Sequence, residues 1–429
     1  MAEKAWVVAV SMGYGHERAA FHLRHLARFH RVMNADDYQG MPAADRLLWR
    51  ETRRVYEFIS RFKKVPLLGD VVFSFMDRTM AIRDFYPKEQ EVETAGFHVR
   101  AVWALMEKKN WGRHFVKKLA EKPLPVIATY PIPLFMAEYF NYPGELVAVV
   151  TDADATRAWA PLVPKKTRIR YAATTERAAG RLAQYGVPER NISLTGFPLP
   201  ESFSGQDGLL ALKEDLRRRL VRLDPSRKYL ARYSDVARRY LGRVPEIPGK
   251  KEPPAVIFAI GGAGAQEDIA SGLLEYLEPL LRSGQIVLRV SAGTHARAAD
   301  RLRKKAEDMK YERFQVEVLY EEREQEYFKS FDLAVEKSDI LWTKPSELSF
   351  YAGLGIPLLL TPPIGSQEVR NQEWLLATGS AVAQLDIRYA AEWFKDFLDA
   401  GVFAECAMQG FIEMEKQGTR NIERLLRAL

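Results

Sequence analysis

The feature that most constrains the fold is a unit of strand, glycine turn and helix that occurs twice. In the first copy, an apolar run at residues 5–10 precedes the glycine turn 13–15 and a helical pattern. In the second copy, the apolar run 255–260 leads into the glycine-rich turn 261–264 and a helical pattern over 268–281. Short strands and helices alternate after each copy, which indicates parallel sheets with right-handed crossovers. The sequence therefore predicts an α/β protein with two Rossmann-like domains that face each other across a cleft.

Length and composition limit the class of protein. At 429 residues the chain is long enough for two or three domains. Cys406 is the single cysteine, which excludes an internal disulfide framework and a cysteine-rich metal site. The net charge of +7 favours anionic partners such as nucleotide phosphates or acidic lipid head groups, and no pattern points to nucleic acid. The first residues do not resemble a signal peptide, and no apolar run reaches the ~18 residues of a membrane span. We therefore expect a cytoplasmic protein.

The distribution of charge and of apolar runs suggests where the domains begin and end. Most of the stretch 42–122 has a helical pattern, whereas 204–253 is strongly basic and is interpreted as a connection with its arginines on a solvated face. The predicted organisation is a first domain over 1–203 with the helical insertion 42–122, the basic connection 204–253, a second domain over 254–405, and a C-terminal helix over 406–429 that could pack back on the first domain.

The helical insertion begins with a basic and aromatic stretch. Arginine, lysine, tryptophan and phenylalanine recur between Arg46 and Lys64, and the apolar run 65–68 follows. Such a helix could rest on an anionic membrane at the cytoplasmic face. The same pattern fits an amphipathic helix that packs on its own domain and turns its charges to water. Both interpretations stay open.

The stretch 338–375 contains a strand–helix–strand unit. The pattern predicts a strand at 339–342, a helix over 345–353, a buried strand over 356–360 and a polar loop over 364–372. In open α/β sheets, ligands bind beyond the carboxyl ends of the strands. The predicted loop contains the polar residues Ser366, Gln367, Glu368, Asn371 and Gln372. These side chains could hydrogen-bond a polyhydroxylated ligand, or they could be ordinary solvated loop residues.

Candidate site residues in the first domain follow two strands. His16 begins the helix after the first glycine turn, and Gly13 and Gly15 allow the backbone to approach a ligand closely. Asp152 and Asp154 follow another apolar run and would meet the same crevice. Each aspartate could equally be a turn or cap residue.

The second glycine turn predicts an anion site in the second domain. Gly262 and Gly264 stand just before a predicted helix, whose first N–H groups and dipole favour a phosphate. A tight turn alone needs fewer glycines than this segment contains.

Five motifs, taken in order along most of the chain, resemble one group of enzymes. The motifs are Met12-Gly13-Tyr14-Gly15-His16, Val149-Val150-Thr151-Asp152 with Trp159, Thr195-Gly196-Phe197-Pro198, Gly261-Gly262-Ala263-Gly264, and Lys344-Pro345 with Gly365-Ser366-Gln367-Glu368 and Asn371. Together they resemble GT-B glycosyltransferases of the family-28-like group, which holds the plant galactolipid synthases, the bacterial diacylglycerol glucosyltransferases and the lipid-II-forming N-acetylglucosaminyltransferase.

The resemblance implies a metal-independent, inverting glycosyltransferase without a cofactor. It would move a sugar from a UDP-sugar donor to a lipid or other amphiphilic acceptor. The implied catalytic residues, which face the acceptor, are His16 and Asp152. The implied substrate-binding residues are Gly13 and Gly15 in the first domain, Gly262 and Gly264 at the diphosphate, Gln367, Glu368 and Asn371 at the donor sugar, and Lys344 of the Lys-Pro motif. Glu347 is added to the substrate-binding candidates as a possible substitute for a missing carboxylate.

Two positions depart from the pattern of this group. Phe350 stands where the group carries a glutamate that holds the uridine ribose, and Glu347, one helical turn earlier, could take that role. Thr156 stands where the group has a histidine. Two alternatives therefore stay open: a UDP-sugar 2-epimerase of the same fold, and a relative that binds a nucleotide or lipid without catalysis.

Overall fold

A computed structural model describes residues 4–62, 82, 84–88, 95–204, 209–246, 252–262, 264 and 266–429. The chain forms two compact units. The first contains Met1–Leu199, Ile364–Asn371 and Gln417–Leu429, and the second contains Pro200–Pro363 and Gln372–Lys416. No described helix combines the length and the apolar character that a membrane span needs.

Each unit is built on a sheet of parallel strands, six wide in the described part of the chain. The strands of the first sheet are Trp6–Ala9 (β1), Met33–Asn34 (β2), Val126–Ala128 (β3), Leu146–Val149 (β4), Arg170–Ala173 (β5) and Ile192–Leu194 (β6), in the order β2-β1-β3-β4-β5-β6. The strands of the second sheet are Ala255–Ala259 (β7), Val287–Ser291 (β8), Val316–Leu319 (β9), Ile340–Thr343 (β10), Leu358–Leu360 (β11) and Ala381–Ala383 (β12), in the order β12-β11-β10-β7-β8-β9. The predicted fold class, α/β with two Rossmann-like domains, is confirmed.

Helices connect the strands of both sheets. Those of the described chain are Tyr14–His22 (α1), Ala43–Phe62 (α2), Phe97–Lys109 (α3), Arg113–Ala120 (α4), Pro131–Tyr139 (α5), Glu176–Gln184 (α6), Glu201–Ser204 (α7), Leu210–Leu223 (α8), Lys228–Leu241 (α9), Glu267–Tyr276 (α10), Glu278–Arg282 (α11), Ala296–Asp308 (α12), Glu324–Glu336 (α13), Ser366–Ala377 (α14), Ala390–Ala400 (α15), Val402–Glu413 (α16) and Gly418–Arg427 (α17). Short 3₁₀ helices lie at Arg28–His30, Arg157–Trp159, Pro164–Lys166, Glu189–Asn191, Glu347–Leu354 and Ile387–Tyr389.

The central strands are apolar on both faces because helices cover both faces of each sheet. In β1, Val8 packs into the core on one side of the sheet, and Val7 and Ala9 pack on the other side. The second side is completed by Ile422 and Leu426 of α17. The C-terminal helix thus belongs to the first unit.

The two units differ from the predicted domain ranges. The described part of the predicted connection 204–253 belongs to the second unit. Near the C-terminus, the chain returns to the first unit at Gln417 and not at residue 406. In addition, Ile364–Asn371 belongs to the first unit. The predicted apolar run 65–68 lies outside the described residues.

The solvated-face interpretation of the basic stretch 204–253 is wrong for two of its arginines. Arg219 on α8 is buried and donates to the carbonyl oxygens of Leu354 at 3.3 Å and Gly355 at 3.0 Å. Arg222, one turn later, forms an ion pair of 2.7 Å with the buried Asp339 at the start of β10. These contacts fix α8 to the second sheet, and burial lowers the pKa of Arg219.

The predicted loop 364–372 is helical from Ser366 onward, because α14 begins there. Glu368, the third residue of α14, turns back and accepts a hydrogen bond of 2.8 Å from the N–H of Ile364. A carboxylate at this position satisfies an N–H that would otherwise be unpaired at the helix start. Polar side chains at a helix N-terminus and in a loop have the same local composition, which explains the error.

Two further helix predictions need correction. The predicted helix 268–281 is divided into α10 and α11, because Pro279 lacks the N–H that a continuous helix would use. The predicted helix 345–353 is the 3₁₀ helix Glu347–Leu354, which ends at Gly355 with φ 67°.

Candidate functional site

His16 lies at the carboxyl edge of the first sheet, where β1, β3 and β4 end side by side. Its Nδ1 is 2.6 Å from the carbonyl oxygen of Thr129, which follows β3. The hydroxyl of Thr151, which follows β4, is 3.3 Å from the same nitrogen. Because a carbonyl oxygen only accepts, Nδ1 carries the proton and the lone pair of the neutral ring lies on Nε2. This tautomer suits a general base that acts through Nε2.

Two aromatic rings fix the orientation of His16. The ring of Tyr130 meets the imidazole edge-on at 4.9 Å between centroids, and Trp159 lies at 6.3 Å. Trp159 is buried and belongs to the motif in which Thr156 replaces a histidine. The ring packing and the Thr129 contact together hold the imidazole in one orientation, which a catalytic base requires.

Asp152 lies in a loop, 151–154, that is held from several sides. The hydroxyls of Thr174 and Thr175 donate to the carbonyl oxygens of Asp152 and Ala153 at 2.5 Å and 2.6 Å. The Asp152 side chain is half-buried at the end of β4. The loop is therefore rigid enough to present one carboxylate in a defined direction.

Asp154, two residues later, has a different role. It is buried and pairs with the equally buried Arg181 of α6 through two contacts of 2.9 Å and 3.0 Å. A two-point contact between a guanidinium and a carboxylate is among the strongest ion-pair geometries. Asp154 is thus a structural anchor of the loop, and neither a cap nor a ligand-binding group.

The structure brings Asn371 of α14 to the same loop. Its side chain is fully buried, and Oδ1 accepts the N–H of Ala153 at 2.9 Å. Gln367 and Glu368 lie one turn earlier on α14. Gln367 is half-buried, and the carboxylate of Glu368 holds the helix start. In the first unit the structure therefore gathers His16, Asp152 and Asn371 at one sheet edge, with Gly13 at φ 125° preceding α1 and Gly15 in its first turn.

The second glycine turn joins β7 to α10. Gly264 has φ 66°, and its N–H donates to the carbonyl of Gly261 at 2.7 Å. Lys344 follows β10, the neighbour of β7, and its side chain lies against Gly261: a Cβ at that glycine would be 2.8 Å from Lys344 Cε. The glycine thus leaves room for a lysine stem that places an ammonium group beside the turn.

His295 was not identified from the sequence as a site residue. It follows β8, the other neighbour of β7, and its Nε2 is 3.0 Å from the carbonyl oxygen of Gly262. Its position after a predicted strand was the one signal in the sequence, because in a parallel sheet the residues that follow adjacent strands meet at one edge. The second glycine turn is therefore flanked by Lys344 on one side and His295 on the other.

The first turn of α10 carries two acidic residues, Glu267 and Asp268, which oppose an anionic ligand. Arg301 of α12 binds Glu267 through contacts of 2.5 Å and 2.6 Å and holds the pKa of that carboxyl below its ordinary value. The pairing reduces the negative potential at the helix start. Gln266, just before α10, is buried and donates to the hydroxyl of Thr361 after β11.

Phe350 is a core residue. Its side chain is 4% exposed, and its ring lies 5.4 Å from the ring of Trp374. An ionised carboxylate buried in this place would be costly unless a cation paired with it. Glu347, at the start of the same 3₁₀ helix, is half-buried. The second unit thus gathers Gly262, Gly264 and Lys344, and leaves Glu347 as the acidic residue of this helix.

Comparison with known proteins gives a limited result. A model for a domain of unknown function, DUF6938, matches residues 243–331. No curated protein matches the chain. Solved structures that resemble it include the UDP-GlcNAc 2-epimerase of Neisseria meningitidis bound to UDP-GlcNAc, with 14% identity, 74% of this chain and 80% of that chain covered, and a TM-score of 0.45. The MurG of Acinetobacter baumannii is 13% identical, and the match covers 77% of this chain and 78% of the MurG chain with a TM-score of 0.46. Anabaena Alr3699/HepE in complex with UDP is 13% identical, and the match covers 76% of this chain and 84% of the HepE chain with a TM-score of 0.41.

Proposed function

We propose that the protein is a metal-independent, inverting glycosyltransferase that uses a UDP-sugar. The second unit binds the donor through its diphosphate, and the first unit binds a lipid or other amphiphilic acceptor. The proposal extends the motif resemblance and rests on the two sheet-edge clusters described above.

One observation carries the donor assignment, namely the position of the Lys344 stem over Gly261. A diphosphate at the second glycine turn would meet an ammonium group and the start of α10. The ammonium group and the N–H groups of the helix start favour an anion, and the pairing of Glu267 with Arg301 reduces the opposing charge of the first turn, to which Asp268 still contributes. Lys344 would also stabilise the negative charge that develops on UDP as it leaves.

His16 would act as the base. The acceptor hydroxyl gives its proton to Nε2, and its oxygen attacks the anomeric carbon as the bond between that carbon and the β-phosphate oxygen breaks. UDP leaves with the electron pair, and the configuration inverts. The Thr129 carbonyl, which accepts from Nδ1–H, would stabilise the imidazolium. Asp152 is proposed to contact the acceptor from the neighbouring loop.

Nucleotide binding tests the donor site. Isothermal titration should give an affinity that falls from UDP to UMP to uridine, because the phosphates supply the charged contacts. Lys344→Met should weaken UDP binding and leave uridine binding unchanged. Lys337→Met, at an exposed lysine of the same unit, serves as the matched control. Absence of UDP binding at millimolar concentration would refute the donor assignment.

Transfer to lipid tests the reaction. Diacylglycerol vesicles are incubated with labelled UDP-glucose, UDP-galactose or UDP-GlcNAc, with and without EDTA, and the product's anomeric configuration is read by NMR. His16→Asn retains a donor for the Thr129 carbonyl but removes Nε2, so the rate should fall by about 10²–10⁴-fold while the fold is kept. Full activity of His16→Asn, or transfer that requires a metal, would contradict the mechanism.

The epimerase alternative requires carboxylates that are available to the sugar. In the first unit, Asp36 accepts the N–H of Ser11 at 3.2 Å and pairs with Arg53, and Asp154 is held by Arg181. Both carboxylates serve to hold loops. Incubation with UDP-GlcNAc alone separates the two activities, because an epimerase forms UDP-ManNAc without an acceptor.

The packing of Phe350 favours a second candidate function, which is nucleotide binding without transfer. A core ring where a ribose-binding carboxylate is expected removes one donor contact. Tight UDP binding, together with no turnover of any of the three donors in wild-type protein, would favour this function over transfer.

A further inference from the structure

We propose that the segment Asp84–Lys88, here called the strap, positions the loop 151–154 and the start of α14 for the reaction. Phe85 and Arg370 would then be positioning residues that touch neither substrate nor reacting atoms. The inference rests on the proposed function for its link to transfer, but the contacts themselves do not depend on it.

The strap is seated on α6 through Phe85. A Cβ at Gly180 would be 2.9 Å from Cζ of the Phe85 ring, so the absence of a side chain at Gly180 makes room for the ring. The guanidinium carbons of Arg177 and Arg181 lie 4.3 Å and 5.2 Å from the ring centroid. Gln184 donates to the carbonyl of Phe85 at 2.8 Å. The ring and the backbone of Phe85 are therefore held by residues from about two turns of one helix.

Arg181 connects the strap to the loop 151–154. Its guanidinium pairs with Asp154 through two contacts, and Nη1 is 3.4 Å from the carbonyl oxygen of Asp84. The same side chain also lies against the Phe85 ring. The ion pair anchors the loop at Asp154, two residues after Asp152. A displaced strap would therefore change the surroundings of this ion pair.

Arg370 connects the strap to α14. Its Nη2 donates to the carbonyl of Ile82 at 3.1 Å and lies 3.2 Å from Oδ1 of Asp84. The next residue, Asn371, accepts the N–H of Ala153 at 2.9 Å. The contacts thus form a closed circuit from the loop to Arg181, to the strap, to α14 and back to the loop.

This circuit has a functional consequence. Asp152 directly precedes Ala153 and Asp154, which these contacts hold, and Gln367 lies one turn from Arg370 on α14. Catalysis is sensitive to misplacement, and a shift of about 1 Å can lower a rate by about 100-fold. The strap would therefore affect turnover without affecting the diphosphate site, which the second unit forms from other residues.

The Gly180→Ala variant tests this inference with an added methyl group outside the strap. In an ordinary helix interior, alanine stabilises relative to glycine. At Gly180 the methyl displaces Phe85, so we expect kcat to fall about tenfold or more, with the affinity for UDP within about twofold of wild type. Phe85→Ala should behave in the same way, whereas Phe85→Leu retains most of the rate. Lys88→Ala, at an exposed residue of the strap whose backbone carbonyl alone accepts from Gln184, is the control and should be close to wild type.

A second readout does not depend on activity. Hydrogen–deuterium exchange should become faster in peptides that cover 151–154 in Gly180→Ala, and stay unchanged in peptides that cover β1. Unchanged exchange in this loop, or unchanged kcat in Gly180→Ala and Phe85→Ala, would overturn the positioning role. Wild-type protein that transfers no sugar would count against the proposed function, whereas the exchange comparison would still decide whether the strap holds the loop.

Discussion

The contact between Lys344 and Gly261 allows the proposed phosphate site to be tested by a double-mutant cycle. A methyl group at residue 261 would be 2.8 Å from Lys344 Cε and 3.3 Å from Cδ. The strand β7 that precedes the glycine is buried and cannot yield, whereas the end of a lysine side chain can. Gly261→Ala should therefore move the ammonium group and leave the fold intact.

The expected magnitude follows from the contact that is lost. A hydrogen bond that involves a charged group contributes about 1.5–3 kcal/mol. At about 1.4 kcal/mol per factor of ten, Gly261→Ala should weaken UDP binding by about 10- to 150-fold. Lys344→Met should weaken it to a similar extent. Because both changes remove the same contact, the double variant should be no weaker than the worse single variant.

The assay is isothermal titration of UDP and uridine on the four proteins of the cycle, with thermal unfolding measured in parallel. Gly272→Ala, inside α10, is the matched glycine control, because the edge of the Tyr276 ring is what approaches its Cβ position, at 3.0 Å. UDP affinity that is unchanged in Gly261→Ala, or losses that add fully in the double variant, would show that Lys344 does not act through this contact.

Three further outcomes follow from the packing. Arg181→Met should destabilise the protein by about 3–5 kcal/mol in urea unfolding, because it leaves the carboxylate of Asp154 buried and unpaired. The added change Asp154→Leu should restore most of the lost stability. A double variant as unstable as the single one would contradict this account. Gly418→Ala should destabilise by about 1–3 kcal/mol despite the better helix former, since its Cβ would be 1.9 Å from the carbonyl oxygen of Phe197; an increased Tm would refute the close approach. Burial raises the pKa of Cys406 to about 12, so a thiol reagent at pH 8 should modify the unfolded chain and not the native one, and rapid labelling of native protein would disprove it.

Much of the architecture could be predicted because it depends on local sequence patterns, namely apolar runs and glycine turns. Strands that are buried on both faces need continuous apolar runs, and β7 and β10 show such runs directly. The glycine turns were recognisable because Gly13 and Gly264 adopt positive φ, which other residues rarely tolerate. For the same reason, the strand ends that carry the candidate residues could be located from the sequence.

The candidate site could be predicted only in part. His16 was placed correctly at a helix start, yet its tautomer depends on Thr129, which is 113 residues away in sequence. His295 escaped notice because its partner, the Gly262 carbonyl, belongs to another strand connection. Asn371 was assigned to a loop, and its contact with Ala153 spans 218 residues.

The sequence by itself determined the two parallel sheets and the strand ends at which the candidate residues lie, because apolar periodicity and glycine depend on near neighbours in the chain. Only the tertiary structure decided which charges are held in buried ion pairs. Asp152 and Asp154 look alike in sequence, but Arg181 buries one of them in an ion pair, and that partner comes from a different helix. The role of a polar side chain follows from its partners and its burial, and both are fixed only when distant segments pack together.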